Sequence, residues 1–226
     1  MHAKEKSMNS QIKSKQRVAD HGEVNTNLSE INAMLDLVKN ETLRIESKFL
    51  EPACGDGNFL IEVLRRKINV IKEQYSKSQF DFEKNLFIAT SSIYGIELLE
   101  DNVLACQKRL LDFLVDEYKK VFKKTINDKF FKSLEYVLKK NILLGDALTL
   151  KSYHEDLLGK PIIFSDWSMI GSMVKRKEFI YSDLVDRSSH REMPLFSDLD
   201  DNDEAFIPDP IKDYAPISFL DVANYG

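Results

Sequence analysis

The stretch "FLEPACGDGNFL" (49–60) constrains this chain more than any other. "KFLEP" (48–52) predicts a short strand that must stop at Pro52, because proline has no amide to give to a ladder. From Asn58 onward Leu60, Leu64, Ile68, Ile71 and Tyr75 recur at steps of three and four, the spacing of an amphipathic helix. Between strand and helix stand Gly55 and Gly57. Glycine there allows positive φ and close approach of a ligand to the backbone. Open parallel sheets bind ligands beyond the carboxyl ends of their strands, which is where this turn falls.

The rest of the chain repeats the alternation. Residues 27–42 predict a helix capped by Ser29, with Ile31, Met34, Leu35 and Val38 as its apolar stripe. "SQFDFEKN" (78–85) is expected to be a polar break. "SIYGIEL" (92–98) predicts a second strand. Asp101 or Asn102 would cap the next helix, which carries Val103, Cys106, Leu110, Phe113 and Leu114 on one face. Residues 128–140 predict another amphipathic helix, "NILLGDAL" (141–148) a third strand and "PIIFSDW" (161–167) a fourth. The expected class is α/β, a Rossmann-like, mostly parallel sheet with helices on both faces. A flexible basic arm (1–16) precedes the domain (17–185). An irregular acidic tail (186–226) follows, in which "PISFLDV" (216–222) reads as one more strand or a docking segment.

Composition narrows the function. The 226 residues are 43% hydrophobic, and no apolar run approaches the ~18–20 residues of a membrane span. The charged start has no apolar stretch behind it, so a cytoplasmic, non-secreted protein is expected. Two cysteines make no disulfide framework, and four scattered histidines make no zinc site. A net charge of -5 disfavours a stand-alone nucleic-acid binder. Lys4, Lys6, Lys13, Lys15 and Arg17 make a basic start, Lys175, Arg176 and Lys177 a second basic cluster, and "SDLDDNDE" (197–204) an acidic one. Such runs ordinarily form solvated faces.

The turn's ligand can be narrowed by its neighbours. Leu60 occupies the third-glycine position of a dinucleotide fingerprint, and no P-loop lysine follows. Glu97, at the end of the second strand, can accept two hydrogen bonds from a ribose diol. Asp146, at the end of the third, can accept one from an exocyclic amine. Glu51 would repel a phosphate and suit a cation. A cationic adenosine derivative without phosphates describes S-adenosylmethionine.

These stretches also carry a resemblance. "FLEPACGDGNFL", "IYGIELLEDN" (93–102) and "NILLGDAL" resemble the first, second and third motifs of DNA N6-adenine methyltransferases of restriction-modification systems. "RVADHGEVNTN" (17–27) is similar to the "HGEVFTP" stretch that precedes the first motif there. The resemblance spans roughly residues 17–167. It implies S-adenosylmethionine as cofactor, double-stranded DNA as substrate and a methyltransferase-type Rossmann sheet. Thr26, Glu51, Gly55, Gly57, Glu97 and Asp146 would line the cofactor pocket. Ala53 and Cys54 would contribute backbone contacts, and Ile96 and Leu98 would flank the adenine or pack beneath it. Cys54 also reads simply as a small buried residue, and Glu97 and Asp146 as turn or cap residues.

The pattern departs from that family after the fourth strand. Its Asn/Asp-Pro-Pro-Tyr/Phe motif supplies acceptors for the target amine and a ring that stacks on the flipped base. Here "FSDWS" (164–168) offers Asp166 and Trp167 with neither proline. The sheet is expected to lack its last strands. Three readings follow: a small complete methyltransferase using Asp166 and Trp167; a cofactor-binding subunit whose partner supplies the catalytic loop and DNA recognition; or a non-catalytic relative acting through protein partners.

Overall fold

In the computed structural model, residues 26–123, 127–189 and 208–225 are described. The expected basic arm, residues 17–25 of the stretch ahead of the first motif and the acidic run 197–204 lie outside them. Helix α1 (Leu28–Leu37) is capped by Asn27, whose side chain accepts from the Glu30 amide. Ser29, the expected cap, instead donates its hydroxyl to Asn27. Only Ile31 and Leu35 of the predicted stripe are buried; Met34 and Val38 are exposed. The helix ends at Leu37, and a short α2 follows (Lys39–Thr42).

Strand β1 (Phe49–Glu51) leads through the glycine turn into α3 (Asn58–Tyr75). The expected polar break at 78–85 is a helix. Ser78 caps α4 (Gln79–Ser91) by accepting from the Asp81 amide. Its polar appearance came from residues with inward partners. Buried Glu83 accepts from the Tyr118 hydroxyl, Gln79 and Asn127, so a carboxylate sits in the core with its hydrogen bonds satisfied. Strand β2 (Ile93–Glu97), α5 (Glu100–Val121), α6 (Asp128–Asn141) and β3 (Ile142–Asp146) follow. Helix α5 starts beyond Leu99 without a side-chain cap, and Asp101 and Asn102 fall in its first turn. Each crossover is therefore a pair of helices.

Strands β1, β2 and β3 pair in parallel in sequence order, and β4 (Lys151–Ser152) adds two antiparallel residues. Of the predicted fourth strand only the start pairs with this sheet, through an isolated bridge from Pro161 to Lys151. β5 (Ile163–Ile170) and β6 (Met173–Ile180) form an antiparallel hairpin, extended by β7 (Lys212–Asp213) and β8 (Ile217–Ser218). The only connection between β5 and β6 is the tight turn at Gly171 (φ 65), too short for a parallel crossover. Helices were expected on both faces. Instead Tyr94 and Ile96 of β2 pack against Ile162, just ahead of the hairpin, against Phe164 within it and against Tyr181, the first residue of α7 (Tyr181–Ser189). The Tyr94 hydroxyl donates to Ser165 O at 3.0 Å.

"PISFLDV" proves to be both strand and docking segment. Ile217 pairs with Val174, while Phe219 and Val222 are fully buried among residues of α4 and α6. No helix of the described residues is long and apolar enough to cross a membrane.

Lys67 of α3 is fully buried, donating to Ser47 O and Ser92 Oγ with no carboxylate at ion-pair distance among the described residues. Burial lowers its pKa to about 7, against the weaker opposing pull of Glu46. An unfolded lysine titrates near ~10.4. Between these values the unfolded chain holds more protons than the folded one, so stability rises with pH across that window. Urea denaturation from pH 7 to 9.5 should give a slope approaching ~1.4 kcal/mol per pH unit, absent in Lys67→Met. Identical pH profiles for the two proteins would refute this account.

Candidate functional site

The parallel register places three chain segments side by side. Glu51 is level with Gly95, and Glu97 with Leu144, so the carboxyl ends of β1, β2 and β3 form one rim. The glycine turn rises from this rim. Gly55 (φ 52) and Gly57 (φ 95) are both left-handed, and Gly57 opens α3 as its N-terminal cap residue. The turn is tied down from within: the Cys54 amide donates to Ile96 O at 3.0 Å, and the Gly57 amide to Cys54 O at 2.9 Å. A Cβ on Gly57 would lie 2.8 Å from Cys106 Sγ, and one on Gly95 would lie 2.8 Å from Cys54 Sγ. Two glycines and two thiols thus let strand, turn and α5 pack at backbone distance. Contact with Cys106, together with burial, pushes the Cys54 thiol well above its ordinary range, which makes it a packing residue rather than a nucleophile.

One residue of this turn was not foreseen. Arg109 of α5 donates from Nη1 to Asp56 O at 2.7 Å and from Nη2 to Asn58 Oδ1 at 2.9 Å, and it pairs with the Asp56 carboxylate. It clamps both sides of Gly57. Its only trace in the sequence is its place three residues after Cys106, on the same side of the helix.

The three acids stand at adjacent strand ends, each with work inside its own chain. Glu97 Oε2 accepts from the Gly55 amide at 2.9 Å and Oε1 from the Leu99 amide at 3.0 Å, so this side chain staples the first turn to the second. Asp146 accepts from the Leu148 amide and the Thr149 hydroxyl, both at 2.9 Å. The Leu148 amide bond leads in holding its carboxyl below the usual range. Burial pushes the Glu51 carboxyl up, against a bond from the Ala53 backbone. Each carboxylate oxygen keeps a second lone pair for an outside donor. Ala53 and Leu98 are exposed on the rim, whereas Ile96 is fully buried beneath the hairpin. Thr26 is exposed just ahead of Asn27, at the start of α1, which packs on α3 through Ile31 and Leu35.

Asp166 and Trp167 lie elsewhere. Asp166 pairs with Lys48, at the amino end of β1 and away from the glycine turn. It borders a cavity of about 570 Å³ walled by Phe49, Leu50, Tyr94, Phe164, Phe179 and Tyr181. Trp167 points the other way. Its ring is 8% exposed, set edge-on to Phe87 and Tyr136, and Nε1 donates to Asn141 Oδ1 at 2.9 Å. Asn141 in turn donates to Ser91 O and Ile93 O. Trp167 therefore ties the hairpin to α6 and the foot of β2, and its enclosed ring offers no face to a base. Alternation along β5 is the reason: neighbouring residues must point to opposite faces.

Comparison of the chain with models of protein families, with curated proteins and with solved structures finds no match.

Proposed function

We propose that this chain is a cofactor-binding protein of the DNA N6-adenine methyltransferase kind, which takes S-adenosylmethionine at the rim of β1, β2 and β3 and works with a partner chain. The observation that carries the reading is the meeting of Glu51, the Gly55–Gly57 turn, Glu97 and Asp146 at adjacent strand ends. A negative rim beside a glycine turn suits a sulfonium and a ribose diol better than a phosphate. The separation of Asp166 from that turn, and the burial of Trp167, favour a partner that brings the acceptor groups and the stacking ring. Those two facts equally favour a second reading, a non-catalytic relative that acts through protein contacts.

One titration separates the two. Calorimetry with S-adenosylmethionine should give saturable binding, weakened at least about tenfold in Asp146→Asn and Glu97→Ala, as expected when charged hydrogen-bond acceptors are lost. Thermal unfolding of the variants guards against mere loss of the turn. If millimolar cofactor gives no heat with a fully folded protein, the methyltransferase reading fails and the scaffold reading stands.

A further inference from the structure

A second cavity, of about 490 Å³, runs along β3 between α5 and the β4–β5 segment. It touches neither the glycine turn nor Asp166. Its floor is apolar, made by Ile142, Leu143 and Leu144 with Ile162 beside them. On its walls Leu104 is 60% exposed and Leu157 41%, apolar surface with no partner over it among the described residues.

Its charges stand at its two ends. Lys139 and Lys140 close α6 immediately before β3, so they stand at the amino end of that strand. Glu100 opens α5 beyond the carboxyl end of β2, so it stands at the opposite end of the cavity. Arg176 and Glu178 also line the lysine end, but they spend their charges on each other, and Arg176 donates to Ser165 and Tyr136 as well. Lys139 pairs with Glu135 outside the cavity. Lys140 differs. It has no carboxylate at ion-pair distance among the described residues and rests only over the Tyr136 ring, 5.5 Å from its centroid. Burial first, then the neighbouring Arg176 and Lys212, lower its pKa, with Glu178 opposing. A half-buried ammonium held among cations is relieved by an anion.

We infer that this cavity binds an amphipathic anion, its carboxylate or phosphate head on Lys140 and Lys139 and its apolar tail lying along Ile142–Leu144 between Leu104 and Leu157. Glu100 at the far end repels the head group and so fixes the direction of entry. A cavity of this size holds a small ligand, not a folded segment. The inference is independent of the cofactor reading.

The test is calorimetry on the whole chain with decanoate, decyl phosphate and decyltrimethylammonium, each below micelle formation. Either anion should bind saturably and at least about tenfold more tightly than the cation, the worth of one charge-assisted hydrogen bond. Lys140→Gln should lose about tenfold toward the anions, and Lys140→Arg should retain binding. Leu104→Asp, at an exposed position that leaves the core alone, should abolish it. The inference is overturned if the cation binds as well as the anions, if Lys140→Gln binds the anions like the unsubstituted protein, or if no decyl compound saturates. The ratio of decanoate to decyl phosphate affinity then names the head group.

Discussion

Replacing Arg176 with alanine should destabilise the protein by about 3–5 kcal/mol, the cost of leaving a buried charge without its partner. The side chain is 2% exposed. Each of its three nitrogens donates, Nε to Ser165 Oγ at 2.9 Å, Nη1 to the Tyr136 hydroxyl at 2.8 Å and Nη2 to Glu178. Three rings surround it, with the Tyr214 centroid 4.6 Å from its central carbon and those of Trp167 and Tyr136 at 5.5 and 5.7 Å. Arg176→Ala strands the Glu178 carboxylate, whose other side-chain donor among the described residues is the Tyr214 hydroxyl. For a chain of this length the melting temperature should fall by roughly 10 °C or more. Arg176→Lys should recover little, since an ammonium cannot reproduce the planar fork. The double variant Arg176→Met with Glu178→Leu should recover at least half the loss, because no charge is then left buried alone. Urea denaturation of the four proteins decides it. Arg176→Ala costing under about 1 kcal/mol, or a double variant no more stable than Arg176→Ala, would sink the explanation.

Phe219→Ala is the second large effect, at about 3–5 kcal/mol. Phe219 lies far from the parallel sheet in sequence yet is fully buried. Its ring centroid is 5.7 Å from Phe80, 6.0 Å from Phe87 and 6.2 Å from Phe130. Removing it leaves a cavity that the rigid helices α4 and α6 cannot close, so transfer and cavity terms add. Asn224→Ala, at an exposed position of the same segment, should change stability by less than about 0.5 kcal/mol. If both variants cost equally little, the segment 208–225 is an ornament rather than part of the core.

These two residues also mark what the sequence disclosed and what it hid. Strands β1 to β3, α3, α5 and α6 were legible because their periodicities are strong and local. The rim was legible because Glu51, Glu97 and Asp146 each end a recognisable strand. Helix α4 was hidden: its inward face includes Glu83, and an inward carboxylate reads as outward until Tyr118, Gln79 and Asn127 are seen around it. The partner of β5 was hidden because strand periodicity is the same in parallel and antiparallel sheets. Trp167 looked like a free ring beside an acid because its neighbour in sequence points to the other face. Arg109, Arg176 and Phe219 depend on contacts across long stretches of chain, and no local pattern announces such contacts.

The late position of Phe219 has a consequence for how the chain is made. Phe87 and Phe130 emerge from the ribosome long before the ring that covers them. Until then the nascent chain carries a greasy notch between α4 and α6, together with the open hairpin edge that β7 and β8 will later occupy. Growing chains in this state are what chaperones bind and what aggregates at high expression. Slow synthesis and low temperature should therefore raise the yield of soluble protein more than they would for a fold whose core closes in sequence order.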